Sequence, residues 1–464
     1  MEDPMRRLIV PALTAFAALG ACQQPSPVDV PETPATQPPG TTPAQASPSD
    51  KDNLVDPVVT MPNKEVQPVP IAVTTLDATA PLAEGNNLFA WSLYEQLEDK
   101  PGNLFVSPAS ISEAFALLYP GAAGETATQM GDVFGFDSVP AESFAGVQNT
   151  LNGAVTADTE KTKLTVANAV WLREGSSLQA PYRQAVEGIM KAKVALVDFS
   201  QPAAAAKLIN TWVEDHTNDK IHDLIPPGAI RPGLTELILT NAVWFKADWQ
   251  SPFKAEATQD GTFYAPSGEI TAKLMSQTLK KARYLSRDGY AALDLDYAGD
   301  DYALTVILPD TQDGLTDVAS AMTPESFTAL LSGMDTAERK RVHLVLPKVS
   351  IEASYELNDT LIALGLGDAF TGAADFSGLI EGAGPGDLVI SKVLQKTFLD
   401  IDEKGTEAAA ATAIMMERTA IFIPEEDPVE FRADHPFLIA LRHKPTGTVM
   451  FLGRVEAPPP AADE

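Results

Sequence analysis

Cysteine is almost missing from this chain: Cys22 is the only one in 464 residues. Disulfides within the chain are thereby excluded, whatever the redox compartment, and so is any paired-cysteine metal or redox motif. Histidine is nearly as scarce, with five copies. His216 and His222 stand six apart rather than the four that would set two ligands on one helix face, and no HExxH, GxSxG or Walker loop occurs. The glycines Gly382, Gly384 and Gly386 follow no strand-like run and enclose Pro385, so they read as a loop and not a phosphate cradle. Positive charge is also short, with 33 Lys and Arg against 63 Asp and Glu and a formal net charge of -30. That balance argues against nucleic acid or an anionic membrane surface as partner and for a soluble monomer. The densest basic run, Glu338 to Arg341, reads as a solvated face at a strand start, with no glycosaminoglycan site. Nothing in the chain assembles a nucleophile with a base, so no enzyme, cofactor or metal is expected.

The N-terminus reads as an address. Met5, Arg6 and Arg7 precede an apolar run, Leu8 to Leu19, too short to span a bilayer. The sequence Leu19, Gly20, Ala21, Cys22 then resembles a bacterial lipobox, which implies a signal peptide over residues 1–21 and lipidation of Cys22. Gln23, where Asp would be an inner-membrane signal, points to the outer membrane, at its periplasmic face or at the cell surface. Residues 22–75 are rich in Pro, Thr, Ala, Ser, Gln and Asp and carry few side chains to bury, so we read them as a disordered tether. About 50 such residues reach on the order of 40 Å.

The folded part is expected over residues 76–458, with a short tail at 459–464. Hydrophobic residues make up 45% of the chain, ample for a large core. Between Asn86 and Glu98 the apolar residues recur at three and four, a helical period that Ser110 to Leu118 repeats. Leu164–Leu172, Leu237–Phe245, Ala303–Leu308, His343–Leu346 and Val389–Ile401 read as strands, and Phe437–Arg442 with Val449–Arg454 as a hairpin around Pro445 and Gly447. No second tether and no repeat interrupts the region, so the fold class is one mixed α+β domain, against the two or three that length alone suggests.

One segment resists a single reading. The run EKGTEAAAATAIMMERTA, Glu403 to Ala420, is rich in the best helix former, yet lies between strands. As a helix it would start with Thr406 as N-cap. As a strand it sorts: Thr406, Ala408, Ala410, Thr412, Ile414 and Met416 share one small or apolar face, while Glu407 and Glu417 share the other. Gly405 and Thr412 do not favour a helix, and both readings stand at this point.

The stretch IDEKGTEAAAATA, Ile401 to Ala413, resembles the hinge of the reactive-centre loop of inhibitory serpins, and FRADHPFLIAL, Phe431 to Leu441, resembles that family's C-terminal signature. NLFVSPASISEAFALLYPGAAGETATQM, Asn103 to Met130, is similar to the shutter segment, and LTNAVWFKADWQSPF, Leu239 to Phe253, to the central strand of sheet A and the breach. LPKVSIEASYELNDTLIALGLGDAF and ADFSGL follow in the family's order.

The resemblance implies the serpin fold, with three β-sheets, about eight or nine helices and an exposed loop offered to a protease. It further implies a suicide-substrate inhibitor of serine proteases, extending to papain-like cysteine proteases, that traps the acyl-enzyme by inserting the cleaved loop into sheet A. The hinge would comprise Glu403, Gly405, Thr406, Glu407, Ala408, Ala409, Ala410, Ala411 and Thr412. Counting as the family does puts the scissile bond at Thr419–Ala420, suited to elastase-like or subtilisin-like enzymes. A one-residue slip puts it at Arg418–Thr419, suited to a trypsin-like one. Ser107, Ser110 and Asn241 match shutter positions and Trp249 the breach, although the two serines could simply cap a helix. Gln395 stands where the family commonly has histidine, a departure in the shutter. The alternative function is a non-inhibitory, scaffold-like member of the same family.

Overall fold

A computed structural model describes residues 75–406 and 427–460. Cys22, the tether over 22–74, the hinge residues Glu407 to Thr412 and the bond candidates Arg418, Thr419 and Ala420 lie outside the described residues. The first element is a 3-10 turn at Leu76–Thr79, and the described residues belong to one compact unit.

Sixteen strands and nine α-helices occur among the described residues. In chain order the strands are β1 (Leu104–Val106), β2 (Ala157–Asp158), β3 (Thr162–Arg173), β4 (Lys193–Val197), β5 (Leu237–Asp248), β6 (Gln259–Ala265), β7 (Gly268–Arg287) and β8 (Tyr290–Asp296). They continue as β9 (Tyr302–Pro309), β10 (Arg339–Pro347), β11 (Val349–Glu356), β12 (Ile390–Ile401), β13 (Gly405–Thr406), β14 (Val429–Arg432), β15 (Phe437–His443) and β16 (Thr448–Val455). Two sheets share the 20-residue strand β7: its first part pairs with β6 and β10, its last four residues with β8. The third sheet runs β11, β12, β13, β5, β3, β2, with β4 also on β3. The expected α+β fold with three sheets is therefore the one observed.

The first helix, α1 (Ala80–Leu97), begins with Pro81 in its first turn, where a missing N–H costs nothing. It buries Phe89, Trp91, Leu93, Tyr94 and Leu97 in the main core, packing against β16 and the helix Pro324–Asp335. The second helix, α2 (Pro108–Ala116), starts because Ser107 accepts the Ser110 amide, the usual N-cap bond.

The run LILTNAVWF in β5 is apolar on both sides because the strand is covered twice. Leu237, Leu239, Val243 and Phe245 face the main core, while Ile238 and Ala242 face a second cluster built with Ile209 and Val213 of the helix Pro202–His216. A strand buried on both faces reads as a continuous hydrophobic run and loses its alternation. Strand β12 joins β5 in parallel, from Ile390 beside Leu237 to Phe398 beside Trp244, and that seam is where the functional geometry lies.

Candidate functional site

Above Phe398 and Trp244 the strands β12 and β5 part. β12 stays paired with β11 as far as Ile401, β5 stays paired with β3 as far as Ala247, and the space between them holds β13. Thr406 pairs with Ile401 on one side and Ala247 on the other, and Gly405 pairs with Asp248. The first two residues of the loop thus already form the start of a strand antiparallel to both neighbours. The helical reading of the opening run fails at these two positions.

A tight turn delivers the chain there. Asp402 accepts from the amides of Lys404 at 2.8 Å and Gly405 at 3.2 Å, and its own amide donates to the Gly405 carbonyl at 2.9 Å. Gly405 is required by contact: a Cβ would lie 1.9 Å from the Ala247 carbonyl oxygen. Thr406 is completely buried, and its hydroxyl meets the Tyr297 hydroxyl at 2.7 Å. Inward burial of Thr406 is what the strand period assigns to the small face of the loop.

Trp249 closes the top of the opening. Its ring stacks on Tyr297 at 4.4 Å, its indole N–H donates to the Asp402 carbonyl at 3.0 Å, and its amide donates to Lys404 at 2.7 Å. Glu403 ties down the outer edge through Lys348 at 2.8 Å and Thr258 at 2.8 Å. Burial alone would raise its carboxyl, but those two donors hold it below the usual range.

Lower in the same seam lies a polar row. Asn168, Asn241 and Gln395 stand in register on β3, β5 and β12 and are joined by side-chain bonds. The Gln395 amide donates to Asn241 Oδ1 at 2.6 Å and to the Ser107 carbonyl at 3.0 Å, while Gln395 Oε1 accepts from the Ser107 amide at 3.1 Å. Asn241 donates in turn to Asn168 Oδ1 at 2.5 Å and to the Ser110 hydroxyl. Ser107 both caps α2 and donates its amide to Gln395, so its capping bond does not keep it out of the amide row. Asn168 escaped sequence reasoning; the available signal was one amide within the apolar strand TKLTVANAVWLR.

The bond between Gln395 and Asn241 crosses the seam between β12 and β5, so a strand entering there would have to break it, as it would a latch. Gln395→Ala leaves Asn241 Oδ1 and the buried Ser107 N–H without a partner, while the Ser107 carbonyl keeps the Ile111 amide, at about 1–3 kcal/mol. Gln395→His cannot replace one acceptor and two donors with a single imidazole. Both variants are expected to melt several degrees lower and to insert the intact loop faster. Thermal melts and the half-life of the intact form check this, and unchanged values of both remove the latch role.

Behind the row, Glu113 on α2 accepts from Asn152 at 2.8 Å. Burial pushes its carboxyl up to about 7, against the lowering effect of a hydrogen bond to Asn168. Between the unfolded carboxylate value and about 7 the folded protein holds a proton that the unfolded chain releases, so stability falls as pH rises through that window. Glu113→Gln is expected to flatten the fall and to stabilise the protein at pH 8 by a few kcal/mol at most. Denaturant titrations at pH 5 and pH 8 with unchanged differences would remove Glu113 from this role.

Ser276, His343 and Glu430 also fall in line, at 3.1 Å and 2.8 Å, as a serine, an imidazole and a carboxylate. Glu430 is largely in water, and the three sit on adjacent strands β7, β10 and β14, the arrangement of a cross-strand polar pair. No group of His, Cys, Asp and Glu fit to hold a metal occurs among the described residues.

Comparison with known proteins agrees with this geometry. A family model described as Serpin (serine protease inhibitor) matches residues 84–458. The leukocyte elastase inhibitor of Bos taurus is 37% identical over 386 residues, covering 81% of this chain and 99% of that protein. An uncharacterised serpin-like protein of Thermococcus kodakarensis is 36% identical over 379 residues, covering 82% and 86%. Among solved structures, the thermophilic serpin tengpin in its native state superposes with a TM-score of 0.73 at 26% identity, covering 84% of this chain and 97% of that one. Serpin48 of Tenebrio molitor gives 0.72 at 30%, covering 81% and 98%. The family model over residues 84–458 and relatives matched along nearly their whole length, with a row of buried amides in the seam below Gly405 and Thr406, lead to one conclusion: the chain belongs to the serpin family.

Proposed function

We propose that this protein inhibits serine proteases as a suicide substrate, trapping the acyl-enzyme when the cleaved loop enters the sheet between β12 and β5. The observation that carries the reading is the position of Gly405 and Thr406, with Thr406 already paired on both sides and Gly405 on one, in the opening that the rest of the loop would extend. The small face Thr406, Ala408, Ala410 and Thr412 could follow into the core without burying charge or bulk. A strand advances about 3.3 Å per residue, so about 14 inserted residues carry an attached enzyme roughly 45 Å. A catalytic site that needs its groups held to about 0.5 Å does not survive such a pull.

The bond attacked is Thr419–Ala420, with Arg418–Thr419 as the alternative. Incubation with trypsin, elastase and subtilisin should give a covalent complex stable on a denaturing gel with at least one of them. Mass spectrometry of the released C-terminal peptide identifies the bond. Loop fragments with every enzyme and no complex would instead favour the non-inhibitory scaffold. We further propose export and lipid anchoring through Cys22, which Cys22→Ser should convert to a form released from membranes. No helix among the described residues is long and apolar enough to cross a membrane.

A further inference from the structure

The fold gathers this acidic chain's scarce positive charge in one place. Lys280, Lys281, Arg283 and Arg287 occupy the second half of β7, and Arg339, Lys340 and Arg341 open β10. The two segments are far apart in sequence but are direct neighbours, with Arg339 opposite Arg283 and Lys340 opposite Ala282. Internal neutralisation is incomplete. One carboxylate, Asp296, is shared by Arg283 at 3.6 Å, Arg339 at 3.8 Å and Lys444 at 2.7 Å. Lys340 has the exposed Glu338 at 3.6 Å and lies over the Tyr284 ring. Lys280, Lys281 and Arg287 are exposed and make no ion pair among the described residues.

The placement of this patch follows from the sheet. Strand β14, on which the chain returns from the loop, lies parallel to β10 with Val429 beside Val342. The basic end of β10 therefore stands at the C-terminal base of the loop, one residue from the position where the chain rejoins the fold. A protease bound at the loop covers on the order of 800 Å² of its partner, more than an extended loop supplies, so it also meets the surface at the loop's base. A protein of net charge -30 repels an acidic enzyme everywhere except where cations are concentrated.

We propose that the surface formed by Lys280, Lys281, Arg287 and Arg339–Arg341 is a docking site for an acidic face of the target protease, beside the loop. This rests on the inhibitory reading above and adds the charge class of the target. The surface steers encounter and sets the association rate, with little effect on the trapped complex.

The test uses the enzyme that forms a complex most readily, in its native form and after succinylation of its lysines, which makes it acidic without changing its cleavage preference. Lys280→Glu, Lys281→Glu and Arg287→Glu together are expected to slow complex formation with the acidic form about tenfold at low salt, with the difference lost at 0.5 M salt, where the screening length falls to roughly 4–5 Å. The native enzyme should react at a rate unchanged or faster. The milder Lys280→Gln, Lys281→Gln variant, matched in melting temperature to the parent, guards against a folding defect and should show a smaller slowing of the same sign. Equal rates for parent and variant, or equal slowing with both forms of the enzyme, overturn the proposal. Loss of binding to a sulfated polysaccharide with association rates intact also overturns it, in favour of a polyanion site. If no enzyme forms a complex, the inhibitory reading fails, while salt-dependent binding of succinylated, active-site-blocked trypsin still tests the surface: retention by the parent and loss by the triple variant support it, and no difference refutes it.

Discussion

Cutting the chain within residues 407–426 should raise the melting temperature of the protein by roughly 10 to 15 °C. In the intact form, β12 and β5 are joined directly from Ile390 to Phe398, and among the described residues Gly405 and Thr406 pair in the space above. Once severed, the loop can continue downward, parting the two strands and pairing with both. About 14 added residues gain roughly ten net ladder hydrogen bonds at about 1 kcal/mol each. With an unfolding entropy of about 2.1 cal/mol/K per residue over roughly 380 residues, 10 kcal/mol corresponds to a shift of about 12 °C. The Gln395–Asn241 bond must break on the way, which subtracts about 1 kcal/mol and sets a barrier. Scanning calorimetry of intact and cut protein decides the matter. Coincident transitions would mean that nothing is stored in the uncut sheet, and the inhibitory reading would go with it.

Under the proposed mechanism, Thr406→Arg should leave a protein that is cleaved as a substrate and no longer traps. Thr406 is wholly buried, with its hydroxyl on Tyr297, and Tyr297 is itself buried against Trp249 and Phe245. A guanidinium there has no carboxylate in the pocket as described, and an unpaired buried charge costs several kcal/mol. Strand β13 would have to withdraw, so insertion would begin without its first step. A barrier higher by about 4 kcal/mol slows insertion roughly a thousandfold. Hydrolysis of the acyl-enzyme would then outrun trapping. The expected result is a stoichiometry of inhibition raised at least about tenfold, with cleaved protein in place of covalent complex, while Thr406→Ser retains the parent value. A variant that still traps one enzyme per molecule would show that entry of Thr406 is not the step that starts insertion.

Much of this architecture could be read from local pattern. The helical period over Asn86–Glu98 and the cap at Ser107 correspond to α1 and α2, and the apolar runs at Leu237–Phe245 and Val389–Ile401 correspond to β5 and β12 within a few residues. The hairpin at the C-terminal end, β15 to β16, pairs as its turn residues require. These succeed because each depends on neighbours in the chain: a cap on the next three residues, a hairpin on its own turn. The site fared differently. Ser107, Ser110, Asn241, Gln395 and Trp249 were marked by resemblance, and nothing in local sequence explains why the first four meet or why Trp249 meets Asp402 and Lys404. Asn168, Tyr297 and Glu113 were not marked at all, although Asn168 bonds to Asn241, Tyr297 to Thr406, and Glu113 to Asn168 behind them.

By itself, then, the sequence determined the α+β class, most helices and strands, the family and a run after Gly405 whose alternate residues are small and uncharged. Tertiary structure alone decided where that run begins to pair, because the opening that holds Gly405 and Thr406 exists only when β12, about 150 residues further along the chain, lies parallel to β5 and then diverges from it. It likewise decided that amides from three strands form one row, and that two basic segments some 50 residues apart make one surface. The physical reason is the same in each case. Propensity and capping act over a few residues, whereas pairing in a sheet is settled by which distant strands bury each other's apolar faces, and no local pattern encodes that choice.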